Sequence, residues 1–301
     1  MKIAVTGASG NYGRLAVARL MERIAPGDLI LLSRTPSKLA AFAERGAVCR
    51  RGDFDEPESL APALAGADRL LLISATRVGQ RVAQHRAAIE GAVAAGVKHI
   101  VYTSIVGVAP GNPALVVADH GPTEDLIKAS GLAWTILRDA HYTDAIVEVI
   151  AANAIQSGRW ISSCGDGREA PVWRDDCVDC AVAVLTGEGH AGKTYNITGP
   201  ERLSMPEIAR MTAEISGASI EYVPADEAAM FAMFDAMGVP REPVDNLVVG
   251  NNPWNSNDIV SFEAAIRGGW FDVISDDVER LLGRKPRALR DMLELRRQPA
   301  P

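Results

Sequence analysis

The stretch Lys2 to Gly13 constrains this chain more than any other. It reads Lys-Ile-Ala-Val-Thr-Gly-Ala-Ser-Gly-Asn-Tyr-Gly and runs directly into the apolar-periodic segment Leu15 to Ile24. Ile3, Ala4 and Val5 have the character of a short buried strand, and the periodicity after Gly13 is that of a helix. Between them Gly7 permits a sharp turn, Gly10 allows a phosphate to approach the backbone, and Gly13 lets the helix pack hard on the sheet. The backbone N–H groups around Ser9, Asn11 and Tyr12, together with the positive end of the helix, would then face an anion. The spacing is G-x-x-G-x-x-G rather than G-x-G-x-x-G. Strand, turn and helix in the required order nevertheless predict a nucleotide site rather than a merely glycine-rich turn.

Composition frames this prediction. The chain has 301 residues, 48% hydrophobic and 23% charged, with a formal net charge of −7. That length supports a substantial core, and the charge offers no footprint for nucleic acid. The chain opens on a strand with no cationic leader, and its apolar runs are short and broken by glycine or charge, so no membrane partner is expected. A cytoplasmic protein acting on a small molecule, as monomer or homodimer, is the expectation. Cys49, Cys164, Cys177 and Cys180 are too scattered for a disulfide framework. Cys177 and Cys180 read as small core residues of one helical face, because no second Cys/His pair completes a metal site.

The first half alternates strands and helices. Strands are predicted at 29–33, 47–50, 68–74, 99–104 and 133–137, and helices at 36–43, 57–64, 80–95 and 122–130. This is the pattern of an α/β fold, a Rossmann-type doubly wound parallel sheet, in which ligands bind beyond the carboxyl ends of the strands. The segments after each strand are therefore the candidates. After the second strand no acid is present to bind ribose hydroxyls, whereas Arg34 and Lys38 offer cations where an adenosine 2′-phosphate would lie, which favours NADP(H) over NAD(H). The alternative is a solvated basic loop. Asp53 and Phe54 can flank the adenine, or Asp53 can simply be a turn residue. Ser74, Ala75, Thr76 and Arg77 would pass the middle of the cofactor, and Thr103 and Ser104 end the fifth strand at nicotinamide depth. There Ser104 either bonds a substrate oxygen or merely finishes the strand.

Several segments, in order, carry a resemblance. They are Val-Thr-Gly-Ala-Ser-Gly at 5–10, Val-Gly-Gln-Arg at 78–81 with Gln-His-Arg at 84–86, and Ala-Ala-Gly-Val-Lys-His-Ile-Val-Tyr-Thr-Ser at 94–104. Asp119-His120 with Thr123-Glu124, Leu137-Arg138 with Tyr142, and Gly-Lys-Thr-Tyr-Asn-Ile-Thr-Gly-Pro at 192–200 follow. On these the chain resembles the NmrA-like, atypical branch of the short-chain dehydrogenase/reductase superfamily, and within it the NADPH-dependent type 2 quinone oxidoreductases and triphenylmethane reductases. The resemblance implies an NADPH-dependent reductase of quinones or similar planar electrophiles. Typical members of the superfamily use a Tyr-x-x-x-Lys pair to pass a proton. The corresponding place here reads His120-Gly-Pro-Thr-Glu124, so that relay is missing.

His120 then stands as a pocket residue that orients the acceptor or donates a proton, or else as a histidine filling a polar niche. Asp139 occupies a position that is commonly Asn in the group it resembles, and it too would border the cofactor. Tyr142 is either a pocket aromatic or a core residue.

The second half reads as a smaller α/β lobe over the carboxyl edge of the sheet. The division expected is a nucleotide-binding domain at 1–150 and a substrate lobe at 151–301, with the chain free to cross between them. Helices are predicted at 147–156, 176–185 and 204–215, the last opened by a Ser204/Glu207 capping box, with strands at 159–162, 193–197 and 220–223. Residues 240–257 are the most loop-like stretch. Met230, Phe231, Met233 and Phe234 either roof the pocket or pack an amphipathic helix, and the tail from Arg296 is expected to be disordered. Two other functions fit the same fold: a nucleotide sensor that binds NADP without turnover, and a redox-neutral isomerase or epimerase.

Overall fold

The computed structural model describes residues 1–244, 247–249 and 253–297. The chain begins with the strands β1 (Ile3–Val5), β2 (Leu29–Ser33), β3 (Val48–Arg51), β4 (Arg69–Leu72), β5 (His99–Ile105) and β6 (Ala133–Asp139). After β7 (Arg159–Ser162) and β8 (Arg168–Glu169), which lie elsewhere, β9 (Lys193–Ile197) rejoins them. The seven form one sheet in the order β3-β2-β1-β4-β5-β6-β9, and every pairing in it is parallel.

A parallel sheet is covered on both faces, so successive side chains of one strand enter different cores. Ile3, Val5, Leu29, Leu31, Leu71, Val101 and Leu137 face one core, with the helices Asn11–Leu20 and Arg174–Thr186. Ala4, Ile30, Leu32, Leu70, Leu72, Ile100 and Tyr102 face the other, with Leu60–Leu64, Arg81–Ala94 and Leu115–Ala129. β1 pairs on one side with β2 and on the other with β4, so chain direction across the sheet reverses at β1. A crevice opens at such a reversal, at the carboxyl ends of the strands.

Some boundaries differ from the sequence prediction. The helix expected from Pro122 begins at Leu115 and carries Pro122 inside it. Its start is satisfied from outside: Leu115 N–H donates to Ser261 Oγ at 3.1 Å, and Ala114 N–H donates to Asn112 Oδ1 at 3.0 Å. After β6 the chain is helical from Thr143 rather than Val147, passes through a π-helical stretch at Ile146–Ala151, and ends at Ser157 with Gly158 in the left-handed region.

Outside the main sheet, β7 pairs with β11 (Glu221–Pro224) in parallel and β8 with β10 (Leu203–Ser204) in antiparallel fashion. The helix Met205–Ser216 opens with the expected Ser204/Glu207 capping box. Met230 and Phe234 of helix Glu227–Ala236 pack with Val239 and Val260. Within the loop-like stretch, residues 245–246 and 250–252 lie outside the described residues, and helix Ser256–Arg267 has already begun by Asn257. Asn255 caps that helix by accepting from Asp258 N–H. The tail is helical through Arg297, where disorder was expected from Arg296; residues 298–301 lie outside the described residues. Helix Arg174–Thr186 packs on Asn11–Leu20, and Tyr12 Oη donates to Cys177 O at 3.1 Å, so the second half of the chain also braces the glycine turn. Cys177 and Cys180 are buried in this packing. Among the described residues no helix is long and apolar enough to cross a membrane.

Candidate active site

A cleft of about 1440 Å³ runs from the glycine turn along the carboxyl ends of the strands to helices Glu227–Ala236 and Ser256–Arg267. At its start Gly7 has φ +59°, a conformation L-residues rarely adopt. A Cβ on Gly13 would lie 2.3 Å from Gly7 O and 2.7 Å from Ala8 Cα, so only glycine lets the helix meet the turn. The cap residue, Gly10, has no side chain to offer the first N–H groups, and the first turn carries no acid. Neither the cap nor the first turn thus presents a side chain that competes with a phosphate, and the cradle fits a dinucleotide pyrophosphate. Ser9 and Asn11 line the same end, with Ser9 Oγ 3.0 Å from Ser33 Oγ. Arg14, which sequence reasoning did not single out, ties the turn to the next loop by donating to Ser9 O at 2.9 Å and Lys38 O at 2.8 Å.

Arg34 and Lys38 are exposed on the rim of the cleft. Asp53 lines it too, and its carboxylate accepts from Asp55 N–H at 3.1 Å in a local turn. Phe54 stands edge-on to His85, 6.2 Å between ring centres. Arg77 is engaged by Asp55 and by Gln80. Ser74 N–H donates to Thr103 Oγ1 at 2.9 Å, and Ala75 and Thr76 supply carbonyls to Arg81.

Behind these loops lies a buried polar chain that fixes the state of His120. Ala75 N–H donates to His85 Nε2 at 2.9 Å, so the proton of His85 is on Nδ1, 3.0 Å from Thr123 Oγ1, which in turn donates to Asp119 O. Tyr102 Oη lies 3.4 Å from that same His85 Nδ1 and 2.7 Å from His120 Nδ1. His120 Nδ1 and Tyr102 Oη share one hydrogen bond, and when the hydroxyl donates, the proton of His120 is on Nε2. Burial, with Arg81 and His85 nearby, holds His120 well below the usual imidazole range, and burial and Arg81 hold His85 down to about 3. His120 is therefore a neutral ring lining the cleft, with an N–H to offer rather than a charge. Tyr102 and Arg81 were not among the sequence candidates; only the quoted segments contained them.

One turn along the same helix, Glu124 is 1% exposed yet charged. Burial alone would raise its carboxyl, but hydrogen bonds from Arg138 (2.7 and 2.8 Å) and Ser104 Oγ (2.7 Å) hold it below its ordinary value. Ser104 thus lines the cleft with its hydroxyl proton committed inward. Asp139 accepts from Tyr142 Oη at 2.8 Å, and its other oxygen is buried without a partner. Burial pushes its carboxyl up to about 7, against the lowering influence of the Tyr142 hydroxyl and the neighbouring Cys177 thiol. The phenol of Tyr142 is raised by burial and by Asp139.

The far wall comes from elements that sequence reasoning could not bring together. Helix Ser256–Arg267 contributes Asp258, Phe262 and Glu263, and helix Glu227–Ala236 contributes Met230, Met233 and Phe234. Those three both roof the cleft and belong to, or pack against, a small apolar cluster, so the two sequence alternatives coincide. His141 points its Nδ1 at Glu169, 28 residues away in sequence, at 3.0 and 3.2 Å.

Residues 7–186 match the NAD(P)H-binding family model. The chain is 33% identical over 281 residues to quinone oxidoreductase 2 of Escherichia coli, covering 93% of each protein. Its fold superposes on the NADPH complex of an E. coli NADPH-dependent quinone oxidoreductase with a TM-score of 0.89 at 29% identity, covering 98% of this chain and 100% of that one. The NADP(H) complex of the Citrobacter triphenylmethane reductase gives 0.87 at 29% identity, covering 99% and 100%. The chain belongs to the NAD(P)H-binding, NmrA-like family.

Proposed function

We propose that this family member is an NADPH-dependent reductase that passes a hydride to a quinone or similar planar electrophile. The observation that carries the reading is His120, held neutral by burial at the wall of the cleft with its Nδ1 2.7 Å from Tyr102 Oη. Reduced nicotinamide adenine dinucleotide phosphate supplies the hydride when bound. The chain supplies the rest. The turn at Gly7–Gly13 holds the pyrophosphate, and Arg34 with Lys38 meets the 2′-phosphate. His120 polarises an acceptor oxygen as a fixed hydrogen-bond donor, which costs no reorganisation as charge develops there. Ser104, Thr103 and the Asp139–Tyr142 pair wall the site where the ring would lie, leaving a slot for a flat acceptor. The His120-x-x-x-Glu124 stretch has no Tyr–Lys pair, and a quinone tolerates that because its hydride adduct takes a proton from water.

NADPH consumption with benzoquinone tests the proposal. Replacing Arg34 by Ala should raise the NADPH KM about 10- to 100-fold, the equivalent of one or two charge-assisted bonds, and leave NADH almost unaffected. The missing relay also favours a second reading, a nucleotide sensor. Tight NADPH binding without consumption across quinones, aldehydes and dyes would establish that reading instead.

A further inference from the structure

His141 follows the end of β6 and lines the cleft, with its side chain 16% exposed. Its Nδ1 lies 3.0 and 3.2 Å from the two oxygens of Glu169, whose side chain is 2% exposed. A carboxylate accepts only, so the neutral ring carries its proton on Nδ1 and leaves Nε2 without a protein partner. Nε2 is also absent from the buried unsatisfied atoms, so it opens to the cleft. Phe262 packs edge-on against the other side of the ring at 4.9 Å and fixes its plane. Among the described residues, the other ionisable groups on these elements are Asp258, Glu263 and Arg267 from Phe262's helix, Arg168 beside Glu169, and Tyr142 and Asp139 from His141's own segment; Arg168 is engaged by Glu207 and Arg267 by Ser163 O and Glu227. Glu263 is held by Ser163 N–H and Oγ at 2.6 and 2.7 Å, with its carboxyl pushed up by burial. That leaves Glu169 as the carboxylate in contact with the imidazole.

The same helix relates this pair to His120. Asp258, which senses the charges of Arg81 and Asp119, stands one turn before Phe262. Four residues along a helix span about 6 Å. The Arg81–Asp119 side and the His141–Glu169 side therefore face the same helix about one turn apart, and His120 and His141 line the one cleft.

We propose that His141 is a catalytic proton donor and Glu169 its positioning partner, which extends the reductase to acceptors whose hydride adduct is too basic to wait for water. The inference rests on the reductase reading above. After the acceptor has taken the hydride pair from the reduced nicotinamide, the Nε2–H bond of the imidazolium breaks and an N–H or O–H bond forms on the acceptor atom carrying the new lone pair. The ring then regains a proton from water, with Glu169 holding its Nδ1–H throughout. His120, neutral and committed through Nδ1, cannot take this part.

Two acceptors separate the roles. A cationic triarylmethane dye becomes neutral on receiving hydride and needs no proton; an azoarene becomes a strongly basic nitrogen anion and needs one. His141→Gln should lower the ratio of azoarene to dye turnover about 100-fold or more, the scale of general acid catalysis. Glu169→Gln, which keeps the hydrogen-bond acceptor and removes the charge, should lower the same ratio by a smaller factor, and it serves if His141→Gln fails to fold. In the cofactor-free wild type, nitrogen-edited NMR should find the His141 ring proton on Nδ1. Equal losses with both acceptors, or a ring protonated only on Nε2, would overturn the proposal. Consumption of NADPH by the wild type with benzoquinone but not with the azoarene would overturn the proposal and leave the reductase reading standing, whereas no consumption with any of the three acceptors would remove the reductase reading itself.

Discussion

Asp139 offers a quantitative test of the site's electrostatics. It is 2% exposed, with one oxygen on Tyr142 and the other unpartnered, and burial lifts its carboxyl from 3.8 to about 7. A carboxyl raised in the folded state keeps its proton where the unfolded chain has lost it. Its stabilising share is complete below the unfolded value and is lost as pH climbs toward about 7, after which the curve is flat. At about 1.36 kcal/mol per pH unit, the interval between 3.8 and about 7 corresponds to roughly 4 kcal/mol. Asp139→Asn keeps the shape and an acceptor for the Tyr142 hydroxyl but cannot ionise. Urea denaturation of both proteins, free of cofactor, from about pH 4 to about pH 8 should show the variant gaining on the wild type by several kcal/mol over that range. Parallel curves would refute the reasoning and show that Asp139 is solvated or paired in the folded protein.

Two further outcomes follow from contacts described above. Gly13→Ala places a methyl 2.3 Å from Gly7 O, and because that neighbour is backbone the helix must retreat from the turn. Calorimetric titration should show NADPH affinity falling at least 10-fold, and melting should show a loss of about 1–3 kcal/mol. Glu124→Gln leaves Arg138 facing a neutral group in a site that is 1% exposed at residue 124, and should cost about 3 kcal/mol at neutral pH. Because the Glu124 carboxyl is lowered in the fold, its contribution is present at neutral pH and is lost as the solution is acidified, so the variant should also show a shallower acid limb in the same denaturation series.

What the sequence makes legible is what short-range physics determines. The aliphatic runs of β2 and β4, buried on both faces, and the glycine spacing that only a strand, turn and helix can use are readable without a structure. So is the Ser204/Glu207 cap, whose partners are three residues apart. The helix at Leu115 was not, because its first N–H is satisfied by Ser261, 146 residues later. The same reason hides the working state of His120. As a residue it was visible, but its neutrality depends on Tyr102 and, through it, on a His85 tautomer set by Ala75. For His141, nothing local names Glu169 as its partner, 28 residues away in sequence.

The π-helical stretch at Ile146–Ala151 bears on how such a pocket can change through descent. A π turn accommodates one residue more than an α turn of similar rise, and such turns recur at functional sites. Losing one residue there would restore ordinary helical bonding and leave the residues on either side facing as they do, because the widened turn absorbs that one residue. The wall formed by Asn153, Ala154, Gln156 and Ser157 would stay on the cleft, and only the bulge that presents Val149 and Ile150 to it would contract. A single-codon deletion could thus retrim one patch of the acceptor site and leave the seven-stranded sheet untouched.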